Sequence, residues 1–179
     1  MTYIAFLRAI NVGGHTVTMD ELRRHFVALG LTDVETFIAS GNVIFTSSAK
    51  DTAKLEAKIE RALLDALGYE VATFLRTSAE VAAAAAHPAF PAAARAKARA
   101  YCVGFLSAPL SAAQKKSLLE FRTAEDDFHV HGREIYWLCT VGQGQSKFSN
   151  VRLEKALKLR STFRNINTVE KLAAKYPPK

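Results

Sequence analysis

The sequence predicts an α+β fold in which one β-α-β-β-α-β plan is used twice, and three observations carry that prediction. Apolar runs of strand length alternate with segments that carry an apolar stripe at helical spacing. The order of these segments repeats from the first half of the chain to the second. Even the hairpins correspond, with FIASGNVIF in one half and FHVHGREIYW in the other.

Each element has its own reason. YIAFLRAI (3–10) is apolar on both alternations, the pattern of a strand covered on two faces. A helix starts near Met19, where Thr18 and Glu21 form a capping box, and it runs along Leu22, Phe26 and Leu29 to its stop at Gly30. VETFIA and NVIFTS read as two strands joined by a tight two-residue turn at Ser40-Gly41. Leu55, Ile59, Leu63 and Leu67 share one face of a second helix that ends at Gly68, and YEVATFLR (69–76) is the strand after it. In the second half AYCVGFLS is a strand and SAAQKKSLLEF a helix. DDFHVH and REIYWLCT form a hairpin about Gly132, SNVRLEKALK is a helix and STFR a short strand. A last helix is expected from Thr168, with Asn167 as its cap and Glu170 three residues on. Between the halves, AEVAAAAAHPAFPAAARAKARA is a helix, a turn at Pro88 and Pro91, and a second helical piece, a spacer rather than a site.

Two such units are the split βαβ, ferredoxin-like arrangement. The expected boundaries are 1–77 for the first unit, 78–98 for the alanine-rich connector and 99–179 for the second unit with its C-terminal helix. Helices cover one face of each sheet, yet the inner strands are apolar on both, so a second cover is required. The two units packed together supply it in a monomer; a homodimer is the other solution.

Composition narrows the function classes. Hydrophobic residues make up 49% and charged residues 23%, as in a folded globular protein. No apolar stretch approaches the roughly 20 residues of a membrane helix, and no basic leader precedes the first strand, so a cytoplasmic location is expected. Cys102 and Cys139 are too few and too far apart for a disulfide framework and read as small core residues. The net charge of +7 is unevenly placed: residues 1–90 hold eight Lys/Arg against ten Asp/Glu, whereas residues 91–179 hold sixteen against seven. A basic second half points to an anionic ligand or partner, or simply to a solvated surface.

Several residues are candidates for such a role. The link from the first strand to its helix holds NVGGHTVT where the second half needs only SAPL, and excess loop length often serves a site. Arg8 places a cation at the end of an apolar strand, where it needs a partner. Gly13-Gly14 matches no phosphate-binding glycine motif, and Asp20 and Glu21 would repel an anion at the following helix, so a turn is the better reading. TVGQGQSKFSNVRLEK is the better anion site. Its loop leads into a helix with no carboxylate in the first turn, flanked by Lys147 and Arg152. Asp127, His129 and His131 alternate on one strand, but they read as the wet side of an edge strand, and no metal site is expected. No Ser-His-Asp arrangement is legible, and the candidate loops are rich in amides and arginines but poor in carboxylates, which suits binding.

FLRAINVGG, SGNVIF and RNINTVEKL together resemble an uncharacterised, mostly bacterial family, domain of unknown function 1697. The resemblance spans essentially the whole chain. The family has glycine at the position of Ala9 and tryptophan at that of Ile166. It implies a fold and a cytoplasmic location but no activity, cofactor or catalytic residue. It draws attention to Arg8, Asn11, Gly13, Gly14, Ser40, Gly41, Asn42, Arg164, Asn165, Asn167 and Thr168.

The expectation is therefore a cytosolic protein that binds, or enzymatically processes, a small anionic or phosphorylated ligand. Its cleft would lie between the two units, with Arg8, Asn11, Gly13, Gly14, Ser40, Asn42, Lys147, Arg164 and Asn165 as the binding residues. The alternative is a nucleic-acid-binding module that uses the basic second half. Base-stacking sheets need exposed aromatics, and Tyr101, Phe105, Tyr136 and Trp137 read as core.

Overall fold

In a computed structural model describing residues 1–11, 13–38 and 41–178, the first half of the chain runs β1 (Thr2–Leu7), α1 (Met19–Ala28), β2 (Thr32–Thr36), β3 (Asn42–Thr46), α2 (Thr52–Leu67) and β4 (Thr73–Thr77). The connector forms α3 (Ser78–Ala86) and α4 (Ala92–Lys97). The second half runs β5 (Ala100–Leu106), α5 (Ala112–Leu119), β6 (Asp126–His131), β7 (Glu134–Cys139), α6 (Asn150–Leu157), β8 (Ser161–Asn165) and α7 (Ile166–Lys175). The sheets are ordered β2-β3-β1-β4 and β6-β7-β5-β8, with every pair antiparallel. This is the split βαβ topology in duplicate, the fold class the periodicity predicts.

The chain divides into two compact units, Met1–Ala82 with Leu172–Lys179, and Ala83–Lys171. In the first, Tyr3, Ala5, Leu7, Val43, Phe45 and Leu75 face Leu22 and Phe26 of α1 and Leu55, Ile59 and Leu63 of α2. Phe45 stands between Tyr3 and Phe26, with ring centroids 5.7 and 5.6 Å away. Burying each such side chain stabilises the fold by about 1.5–3 kcal/mol. Ile4, Phe6, Ile44 and Phe74, on the opposite alternation, are also buried, so β1, β3 and β4 are covered on both faces, while β2 at the edge stays exposed. In the second unit Cys102, Leu106, Phe128, Ile135, Trp137 and Cys139 pack on Leu118, Leu153 and Leu157 of the helices. Val103, Phe105, Tyr136 and Leu138 fill the other alternation and are likewise buried.

Helix ends follow local chemistry. Thr18 and Glu21 form the expected capping box on α1, Ser111 and Gln114 form another on α5, and Asp51 caps α2. Gln114 Nε2 also donates to the Leu157 carbonyl at 2.6 Å, tying the start of α5 to the end of α6.

Two local expectations are corrected. The first hairpin does not close through a two-residue turn: β2 ends at Thr36 and β3 begins at Asn42. Ile38 takes φ 61°, which removes it from strand geometry, and the Phe37 N–H still reaches the Asn42 carbonyl at 3.0 Å. The second hairpin is the tight one, with His131 opposite Glu134 across Gly132-Arg133. The last helix starts at Ile166 rather than Thr168, because Asn165 Oδ1 accepts the Asn167 N–H at 2.9 Å and so begins the helix two residues earlier.

Candidate functional site

The long link between β1 and α1 is a built loop. Arg8 N–H bonds the Ala72 carbonyl at 2.9 Å, which carries the sheet pairing one residue past β1, and the Arg8 side chain is half-buried. Ala9 then turns the chain with φ 61°. Gly13 and Gly14 both adopt left-handed φ, 64° and 85°, and an added Cβ at either would meet nothing within 4 Å. They are required by the turn and not by a closely packed neighbour. Asn11 Oδ1 accepts the Val17 N–H at 2.7 Å and closes the loop, while Tyr69 OH donates to the Ile10 carbonyl at 2.9 Å. Thr16 and Val17 lead on to a cavity of about 340 Å³ that also touches Glu21, Arg24, His25, Ala66 and Leu67.

Asn42 is wholly buried and its Nδ2 donates to the Phe37 carbonyl at 2.9 Å, so its amide closes the hairpin. Beside it, Gly41 has φ 79°, and a Cβ there would lie 2.8 Å from Ile10 Cγ2 and 3.2 Å from Leu7 Cβ. Ser40 lies outside the described residues. Arg8, Asn11, Gly13, Gly14 and Asn42 thus belong to the first unit, and Lys147, Arg164 and Asn165 to the second.

In the second unit the loop from Thr140 to Ser149 is organised around one carboxylate. Asp126 is buried, and its Oδ1 accepts from Trp137 Nε1 and from Ser146 Oγ, both at 2.8 Å. Its Oδ2 accepts from Thr123 Oγ1 at 3.1 Å. Three donors offset the buried charge and fix the loop. Ser146 Oγ in turn accepts the Phe148 N–H at 2.9 Å. Phe148 packs on Trp137, Phe128 and Phe163, with ring centroids 4.6, 5.1 and 5.6 Å away. Gln143 Nε2 meets Cys102 Sγ at 2.8 Å, and burial pushes that thiol up to about 11, so it stays protonated and inert.

This scaffold presents Lys147 and Arg152 at a cavity of about 380 Å³, whose wall includes Glu120, Phe121, Thr123, Asp126, Phe148 and Ala156. Both cations are exposed, and among the described residues neither makes an ion pair. Lys147 also borders a smaller cavity of about 210 Å³ with Glu125, Val141, Gln145 and Ser146. The sequence singled out the two cations; it did not reveal that Phe121 and Phe148 would line the same cavity.

Arg164 bonds its own strand. It is buried, its Nη1 donates to Thr162 Oγ1 and to the Phe163 carbonyl, both at 2.9 Å, and burial lowers its pKa to about 10. Asn165 caps α7 through the bond already described.

The polar trio on β6 is not simply solvated, which corrects the reading of it as a wet face. β6 is an edge strand, and Asp127 pairs with Arg122 at 2.7 Å. His129, however, is half-buried beneath His87 and Phe90 of the connector. His87 carried no signal in the sequence, since it joins His129 from 42 residues away. Among the described residues, no group of three His, Cys, Asp or Glu is placed to hold a metal ion.

A duplicated split-βαβ fold with a loop-borne cationic cavity defines an α+β protein of two similar units. The chain belongs to the family described as "Protein of unknown function (DUF1697)", whose model matches residues 1–136. It is similar to the solved structure of the conserved bacterial protein SP0830 from Streptococcus pneumoniae, with 26% identity over 99% of this chain and 98% of that one and a TM-score of 0.73. No curated protein matches it. No helix among the described residues is long and apolar enough to cross a membrane.

Proposed function

We propose that this protein binds a small anionic ligand carrying an apolar or aromatic portion, in the cavity of the second unit bordered by Lys147 and Arg152. The single observation behind this reading is two exposed cations, unpaired among the described residues, at the mouth of a cavity of about 380 Å³ with Phe121 and Phe148 in its wall. Cavities of roughly 300–1,000 Å³ suit small molecules. Arg152 offers a planar fork to a phosphate or carboxylate, and Lys147 a point charge. The absence of a carboxylate from the first turn of α6 leaves that helix end compatible with an anion. Asp126 is held by three donors, so its role here is to position the loop. This site asks nothing of Arg8, and Arg164 serves it only as scaffold.

The test is a thermal-shift series with inorganic phosphate, benzoate and a purine mononucleotide, on the wild-type chain and on a K147A/R152A double variant. The mononucleotide, which has both charge and a ring, is expected to raise Tm most, and the double variant is expected to melt normally yet lose at least two thirds of that rise. An equal rise in both proteins would remove the site.

A nucleic-acid reading has one observation of its own: α5 and α6 pack side by side and expose Lys115, Lys116 and Lys155, with Lys158 exposed just after α6. Against base stacking, Phe105, Tyr136 and Trp137 are buried. Fluorescence anisotropy with a labelled RNA distinguishes the two readings. Affinity that falls steeply as salt rises supports this second reading, and no binding at low salt ends it.

A further inference from the structure

Three histidines from two distant segments meet on one surface of the second unit. His87 follows α3 in the turn that holds Pro88 and Pro91, while His129 and His131 share the outer alternation of β6. His87 Nε2 lies 2.9 Å from His129 Nε2, and the His87 ring stacks on His131 with centroids 4.1 Å apart. Phe90, buried in the same turn, meets Tyr101 and His129 edge-on at 5.7 and 6.4 Å. Under the histidines, Tyr136 OH donates to the Ala84 carbonyl at 3.0 Å. His87, Phe90 and Ala84 therefore hold residues 84–91 against β5, β6 and β7.

Proton counting limits when this arrangement survives. A 2.9 Å contact between two ring nitrogens needs one N–H and one lone pair. One added proton can sit on Nδ1 of the donor ring and leave the bond intact. A second sets N–H against N–H, and a charge on His131 would lie stacked on His87. The charged neighbours offer little relief. Asp127, paired with Arg122, favours a proton on His129 by less than Arg122 disfavours it, and Glu134, opposite His131 on β7, favours one on His87. Tyr101 and Tyr136 on the facing strands stay neutral because burial raises both phenols, and burial likewise raises the Cys102 and Cys139 thiols of those strands.

We propose that His87, His129 and His131 form a pH-sensitive latch, which pins residues 84–91 on the β6–β7 hairpin while at most one ring is charged and releases them when a second proton enters. Burial, then the neighbouring histidines, hold His87 below the ordinary histidine value, and burial and His131 do the same for His129. The sign follows. Groups with depressed folded values bind more protons when unfolded, so the latch is at full strength above about pH 6.5 and weakens as the pH falls below it. Opening bares Phe90, now 6% exposed, and the ring of Tyr136.

Hydrogen–deuterium exchange of the full chain tests this at about pH 7.5 and about pH 5.5, either side of the ordinary histidine value of about 6.5, with rates corrected for intrinsic exchange. The peptide over residues 84–90 is expected to lose roughly tenfold or more protection at the lower pH relative to the α2 peptide, and His87→Gln should abolish that difference. Equal changes in both wild-type peptides would overturn the latch, as would an undiminished difference in His87→Gln. If that variant does not fold, the histidine Cε1–H signals of the wild-type protein decide. His87 and His129 must both titrate below the ordinary histidine value; independent titration of the two at that value sinks the proposal.

Discussion

At the scale of single residues, backbone conformation sets the demands on the positions around Arg8. Ala9 holds φ 61°, a region that disfavours any residue with a Cβ. Replacing it by glycine relieves roughly 1–2 kcal/mol of strain, partly offset by about 0.4–1 kcal/mol of extra unfolded-state entropy. Ala9→Gly is thus expected to stabilise the chain by about 0.5–1 kcal/mol, read as a Tm rise of about 1–4 °C in a thermal melt. Gly41→Ala is expected to do the opposite. It combines an unfavourable φ of 79° with a Cβ placed 2.8 Å from Ile10 Cγ2, and the loss should be about 2–4 kcal/mol by denaturant titration. The glycines, asparagines and Arg8 were visible in the sequence as a group with a purpose. Which of them shape the chain was not, because φ and a partner such as the Val17 N–H on Asn11 exist only in the folded loop.

At the scale of elements, caps and buried stripes were legible because their causes are local. Thr18 with Glu21 can be read three residues apart, and the pair closes as expected. Thr18→Ala should destabilise by about 1 kcal/mol, measured by urea unfolding with an unchanged m-value. The limits of local reading appear at the first hairpin, where alternation continued through Phe37 while the backbone left the strand. Phe37 instead meets Tyr176 edge-on at a 6.4 Å centroid distance, a contact with a residue far along the chain that no local pattern encodes. The last helix likewise starts at Ile166, before the expected cap at Asn167, because Asn165 at the end of β8 caps it first.

At the scale of the whole molecule, the C-terminal segment has a role the linear plan obscures. Residues from Leu172 onward group with the first unit, where Tyr176 OH and Lys175 Nζ both reach Glu35 Oε2, at 2.7 and 3.0 Å. Those contacts are exposed and weak, whereas Leu172 is fully buried. Leu172→Ala should therefore cost about 2–5 kcal/mol in a chemical denaturation experiment, far more than Lys175→Ala. The amino-acid sequence alone determined the duplicated β-α-β-β-α-β order, the helix faces, the edge position of β6 and the concentration of positive charge in the second half, since each follows from periodicity or counting. Only the tertiary structure decided which groups Arg164 and Asn42 bond, that Phe148 joins Lys147 and Arg152 at a cavity, and that His87 seats on His129. Those outcomes depend on which distant side chains desolvate one another, and contact across dozens of residues leaves no trace in local spacing.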